Sequence, residues 1–208
     1  MWVTAIWAGM ATILLALAWL MRRRAFLAQA MALVVAVLAR GLSLDLFADA
    51  PLGFWYGPLF HLSVTAAILM VALPFAFRLR GAEFWAGSTI PLTPDLGLLF
   101  SSSEQVFFFA AFALEVVALA VKLSSGHITI AWSLLGVGVF LFALAVGERS
   151  YRLAGLALLL VSVVKILLMD VWTLPQSDRW VAFIVLGTSL IAVSFLYTRF
   201  ATVIRKFL

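Results

Sequence analysis

Residues Tyr151–Trp172 read YRLAGLALLLVSVVKILLMDVW and decide the fold. The stretch is long enough for a membrane-spanning helix, because about 20 residues at 1.5 Å each cross the hydrocarbon core. Lys165 and Asp170 interrupt its apolar course. A lysine inside such a helix costs roughly 2.5–3.5 kcal/mol on insertion scales, so we expect Lys165 to have a partner or to snorkel to the interface.

The composition places the whole chain in a membrane. Of its 208 residues 66% are hydrophobic and 11% are charged, against roughly 25% charged in an ordinary soluble domain. The net charge of +5 is typical of basic cytoplasmic loops, so it does not indicate a nucleic-acid partner. The chain has no cysteine, which excludes disulfides, thiolate metal sites and cysteine nucleophiles.

Apolar runs separated by charge, proline or glycine predict an all-α, polytopic helical membrane bundle of about seven transmembrane helices. We expect one transmembrane helical domain over residues 1–208, without a soluble module of appreciable size. The predicted crossings are residues 2–21, 25–44, 58–77, 105–123, 128–146, 152–172 and 180–200.

The distribution of arginine and lysine predicts the orientation. With the N-terminus outside, ten basic residues lie on the inner side and four lie in the outer half or outside. The inner set is Arg22, Arg23, Arg24, Arg78, Arg80, Arg149, Arg152, Arg199, Arg205 and Lys206, and the outer set is Arg40, Lys122, Lys165 and Arg179. This asymmetry is what the positive-inside rule requires, so we predict N-out and C-in.

Two connections have structure of their own in this interpretation. The loop over residues 45–57 carries Phe54, Trp55 and Tyr56, whose rings favour the outer headgroup region. Between residues 80 and 104, Thr93-Pro94-Asp95 is typical of a helix start, which predicts a short helix on the cytoplasmic surface. Ser101 and Glu104 have the spacing of a capping box at the start of the fourth crossing.

The C-terminal third contains the elements R-x-x-G-L-x-L-L, V-V-K-x-x-L-x-D, D-R-W-x-x-F-x-x-L-G and F-L-Y-x-R-F. This pattern resembles the C-terminal part of a bacterial family of predicted membrane proteins, a domain of unknown function. Members of that family are typically longer, so the chain resembles a shortened or divided version. The residues at the motif positions are Arg152, Gly155, Lys165, Asp170, Arg179, Gly187 and Tyr197. The resemblance implies a polytopic fold in a bacterial inner membrane and implies no particular chemistry.

Depth along the predicted helices selects a candidate intramembrane polar cluster. Its members are Arg40, Asp45, Glu115, Lys122, Lys165 and Asp170, three of each sign in the outer half of the bundle. One interpretation is an outward-facing polar site in which Glu115 and Lys165 bind an anionic or zwitterionic group or pass a proton. The other is structural: Arg40 and Lys122 snorkel, Asp170 caps a helix or meets the interface, and a Lys165–Glu115 pair joins two helices. Because five residues separate Lys165 from Asp170, we expect their partners on other helices.

The remaining motifs predict little chemistry. His61 and His127 lack a second ligand at metal spacing, so we expect no metal site and no cofactor. Arg149 and Arg152 flank an inner turn and are candidate contacts for an anionic lipid headgroup. We therefore expect a non-enzymatic subunit or stabilising partner in a larger membrane assembly. The alternative is a transporter or lipid-handling protein that uses the Glu115 and Lys165 region.

Overall fold

The computed structural model describes residues 2–48, 57–80, 102–173 and 175–199. All regular structure in these ranges is helical, and seven helices are long and apolar enough to cross a membrane. We number them α1 Trp2–Met21, α2 Arg24–Asp45, α3 Pro58–Arg78, α4 Ser103–Lys122, α5 Ser125–Val146, α6 Arg149–Thr173 and α7 Gln176–Arg199.

The seven helices confirm the predicted all-α bundle, and each overlaps its predicted crossing. The aromatic loop residues 54–56 and the predicted surface helix at residues 93–100 lie outside the described residues, as does Ser101 of the capping box. The N-out orientation stays a prediction. It rests on the charge distribution, since the helices alone do not determine a direction.

Two helices contain a wider π-helical turn near one end. In α2 the π-turn covers Gly41–Asp45, and in α6 it covers Ile166–Asp170. A π-turn replaces the i→i+4 pattern by i→i+5 and is frequent at functional sites. Helix α3 is interrupted in a different way, because its regular turns stop at Ala72, two residues before Pro74.

The chain divides into two compact units, residues 1–122 and 123–208. In the first unit α1 packs on α2 and α3, and α4 packs on α2 and α3. Arg80 Nε lies 3.5 Å from Glu104 Oε1, so an ion pair links the end of α3 to the start of α4.

In the second unit α5 packs on both α6 and α7. The buried core here joins α5, α6 and α7 through Phe140, Leu159, Ile166, Leu186 and Val193. The single transmembrane domain expected from the sequence stays a prediction.

Candidate functional site

The second unit buries a three-residue polar group that we call the lysine cluster: Thr129 on α5 and Lys165 and Asp170 on α6. Lys165 Nζ lies 2.6 Å from Asp170 Oδ1 and donates a hydrogen bond of 2.9 Å to Thr129 Oγ1. Thr129 Oγ1 in turn donates to Asp170 Oδ2. The Asp170 side chain is 0% exposed and that of Lys165 is 11% exposed. Both carboxylate oxygens therefore have a donor, as a buried charge requires.

The expectation that Lys165 and Asp170 find their partners on other helices is wrong for the ion pair, which lies within α6. In an α-helix five residues turn the chain by 500°, which leaves the two side chains about 140° apart. The π-turn Ile166–Asp170 adds the extra residue, so position i+5 stacks on position i. Thr129 supplies the contact from a second helix. Asp170 is also fully buried within the protein, and its depth relative to the membrane interface stays a prediction.

The first unit holds a related group, the arginine cluster: Thr4 on α1 and Arg40 and Asp45 on α2. Thr4 Oγ1 donates to Asp45 Oδ2, and Arg40 Nη2 lies 3.9 Å from Asp45 Oδ1. The Arg40 guanidinium also lies over the Trp7 ring, 5.6 Å from its centroid. Its side chain is 29% exposed, which makes this ion pair looser than that of the lysine cluster.

The two clusters share one construction. In each, a basic residue precedes a π-turn, an aspartate ends that turn, and a threonine 41 residues before the aspartate donates to its Oδ2. The sequence analysis selected both acids and both bases but missed Thr4 and Thr129. A repeated sequence pattern could have revealed them. In both places a threonine is followed, after the same number of residues, by a basic residue, four further residues and an aspartate.

Glu115 lies on α4 in the first unit, where Ser63 Oγ of α3 donates to its Oε1 at 3.0 Å. Its Oε2 is buried without a hydrogen-bond partner among the described residues. Lys122 is the last residue of α4. Glu115 and Lys165 belong to different compact units, and the joint site predicted for them stays a prediction.

Comparison with protein families assigns residues 1–200 to the family described as "Predicted membrane protein (DUF2339)". The chain belongs to this family. The match extends the resemblance, which the sequence analysis located in the last third, over nearly the whole chain of this DUF2339 protein. Comparison with curated proteins and with solved structures gives no significant match.

The two predicted headgroup arginines of the DUF2339 protein differ in accessibility. Arg149 begins α6 and is exposed, whereas Arg152 is buried, with 7% of its surface accessible. Arg149 is thus the more accessible of the two for an anionic headgroup. Lipid contact by either residue stays a prediction.

Neither histidine of the DUF2339 protein stands in a metal-like setting. His61 is buried with its ring edge-on to Trp2, at 4.2 Å between centroids. His127 Nδ1 lies 2.6 Å from Ser124 Oγ in the turn before α5. Within the described ranges, no three His, Cys, Asp or Glu side chains are grouped so that they could hold a metal ion.

Proposed function

We propose that this protein is a non-enzymatic subunit of a larger membrane assembly and acts through association with other membrane chains. The observation that supports the proposal is the closed lysine cluster. Its lysine, threonine and aspartate satisfy one another inside the second unit, so these charges hold α5 and α6 together. A charged group that serves catalysis or transport needs access to a ligand, and Asp170 has none at 0% exposure.

The outer surface of the second unit is consistent with association. Large apolar side chains cover it, among them Leu160, Leu168 and Ile191, which are 64%, 70% and 72% exposed. Such a surface contacts either lipid tails or apolar helices. Between helices in a membrane, close packing supplies most of the association energy.

The test is to purify the protein from its native membrane in mild detergent and to measure its companions by native mass spectrometry. The proposal predicts one or more partner chains in fixed stoichiometry. A monomer that carries only lipid contradicts it. The Lys165→Met variant provides a second sample. Because loss of the lysine cluster loosens the second unit, this variant should retain less of the bound partner chain.

A second candidate is a transporter or lipid-handling role, which two observations favour. Glu115 Oε2 is buried on α4 without a hydrogen-bond partner among the described residues, so this carboxyl has a free acceptor inside the membrane. The second unit also contains an apolar groove of about 530 Å³ between α5 and α7, lined in part by Val137, Gly138, Thr188 and Ala192. A groove of that size suits an acyl chain.

Glu115→Gln and Lys165→Met, made singly and together, separate the two candidates. For a transporter or lipid-handling protein, each single change abolishes transport or phospholipid binding while the fold survives. If the losses of stability instead add in the double variant and phospholipid binding falls no further than stability does, both residues are structural.

A further inference from the structure

The helix pairs α1–α2 and α5–α6 repeat one another without a gap. Each residue of the first pair corresponds to the residue 125 positions later, which aligns Arg40 with Lys165 and the two π-turns with each other. The identical pairs are Thr4/Thr129, Trp7/Trp132, Ala18/Ala143, Arg24/Arg149, Ala32/Ala157, Leu33/Leu158, Leu42/Leu167 and Asp45/Asp170.

The backbone follows the same register. Arg22 has φ 53°, and its counterpart Gly147 has φ 80°, so both turns pass through the left-handed region. The next residues, Arg23 and Glu148, are both extended and precede the first residue of their helix. A non-glycine residue in the left-handed region costs about 1 kcal/mol, so its use at Arg22 indicates a turn geometry fixed by the fold.

The third helices also correspond. Leu62, Ala66, Leu69 and Leu73 are buried on α3, and the residues 120 positions later on α7, Ala182, Leu186, Ser189 and Val193, are buried with the same spacing. Helix α3 packs on α1 as α7 packs on α5. The helices α1–α3 of the first unit and α5–α7 of the second unit thus share one three-helix motif.

The first unit has a fourth helix that covers its copy of the motif. Helix α4 packs on α3, on α2 and on the π-turn of α2. Glu115 of α4 accepts the hydrogen bond from Ser63, and the Leu114 side chain comes so close that a Cβ built on Gly41 would lie 2.7 Å from its Cδ2.

The corresponding face of the second unit is open. Ser63 and Met70 of α3 are partly buried, whereas their counterparts Phe183 and Leu190 on α7 are 39% and 40% exposed. The same difference in exposure occurs at two positions on the second helix of each unit. Ala36 and Leu42 of α2 are partly buried, and their counterparts Val161 and Leu167 of α6 are 48% and 56% exposed.

We propose that the face formed by Val161, Leu167, Phe183 and Leu190 docks a transmembrane helix of a partner chain, in the place that α4 takes on the first unit. The inference rests on the proposed function and names the surface that the partner uses. The first unit also indicates the chemistry of that helix. The buried side of α4 combines Phe107 and Phe108 with Ala111, Leu114 and Ala118, so the partner presents an apolar face of alternating bulky and small residues.

One difference between the two units determines where the partner helix makes contact. Ile166 stands where the first unit has Gly41, and its buried side chain fills the space near the π-turn. A partner helix therefore packs mainly along α7, next to Phe183 and Leu190, and approaches the π-turn less closely than Leu114 does.

The experiment uses the full chain in lipid nanodiscs and a labelled synthetic peptide with the sequence of α4, residues Ser103–Lys122. A photo-crosslinking residue is placed at position 190 or, as a matched control, at position 191. These neighbours have the same depth, but Ile191 is 72% exposed and points away from the proposed face. We expect at least a fivefold higher peptide yield from position 190, and we expect Phe183→Ala, on the same face, to reduce that yield while Ile191→Trp does not.

Equal yields at the two positions, no yield above that of a scrambled peptide, or a crosslink from position 190 to a second copy of the chain would each overturn the proposal. The stoichiometry experiment separates this failure from failure of the proposed function. If a fixed partner copurifies but crosslinks elsewhere, the subunit role stands and the docking face is wrong.

Discussion

Lys165 Nζ lies 2.6 Å from Asp170 Oδ1 across a π-turn, and Arg40 Nη2 lies 3.9 Å from Asp45 Oδ1 across the other. The same sequence separation thus supports a tight pair in one unit and a loose pair in the other. The lysine cluster also uses Thr129 as both donor and acceptor, which closes a triangle of hydrogen bonds. We therefore expect the lysine cluster to contribute more to stability.

Removing one member of the lysine pair leaves a buried charge without its partner. We expect Lys165→Met and Asp170→Leu each to lower the free energy of unfolding by about 3 kcal/mol, and the double variant to lose far less than the sum. Unfolding in detergent mixtures measures all three. Asp178→Leu is the control, because Asp178 is exposed at the start of α7 and its loss changes stability by at most about 0.5 kcal/mol. Additive losses would show that the pair is not coupled.

The two threonines should differ in importance. Thr129→Val removes a donor to Asp170 and an acceptor for Lys165, whereas Thr4→Val removes one donor to Asp45. A single interhelical hydrogen bond in a membrane contributes about 0.6 kcal/mol, so we expect roughly that loss for Thr4→Val and about twice that loss for Thr129→Val. The same unfolding assay compares them. Equal losses would contradict the closed triangle.

Gly155 marks a close approach of α5 and α6. A Cβ at this position would lie 2.8 Å from the Gly136 carbonyl oxygen and 2.9 Å from the Phe140 nitrogen, both of them backbone atoms. We expect Gly155→Ala to destabilise the protein by about 1–3 kcal/mol through overpacking. Gly138→Ala is the matched control on the same helix pair, because nothing lies within 4 Å of its Cβ. A neutral Gly155→Ala would mean that the helices can separate at no cost.

The orientation can be tested directly, since the chain has no cysteine. Single cysteines at Ser124 and at Arg23, both exposed, flank different ends of the crossings. The N-out prediction requires an impermeant maleimide applied to intact spheroplasts to label Ser124→Cys but not Arg23→Cys. Lysed membranes, in which both label, give the control. The opposite pattern would reverse the topology.

The sequence was sufficient for the helices because hydropathy over 20 residues depends little on tertiary contacts. Trp2–Met21 was predicted at both ends, and Pro58 was predicted as the start of α3. The lysine partner was missed for a specific reason. A regular helix has 3.6 residues per turn, which places residues i and i+5 on different sides, whereas the π-turn brings them together and Thr129 contacts Lys165 from the neighbouring helix.

The repeat is hard to recognise in the sequence because most corresponding positions hold different apolar residues, such as Leu15 in the first unit and Phe140 in the second. The polar members carry the signal, and they are few. Glu115 illustrates the remaining limit. Its depth on α4 followed from the sequence, but the neighbour on α3 that meets it, Ser63, depends on how the two helices rotate about their axes.

The paired π-turns occupy the same position in the two hairpins. Each turn holds one residue more than a regular helix, and the 41 residues from Thr4 to Asp45 match those from Thr129 to Asp170 without a gap. In both hairpins the extra residue therefore brings the basic residue and the aspartate to one side of the helix, with arginine in one hairpin and lysine in the other.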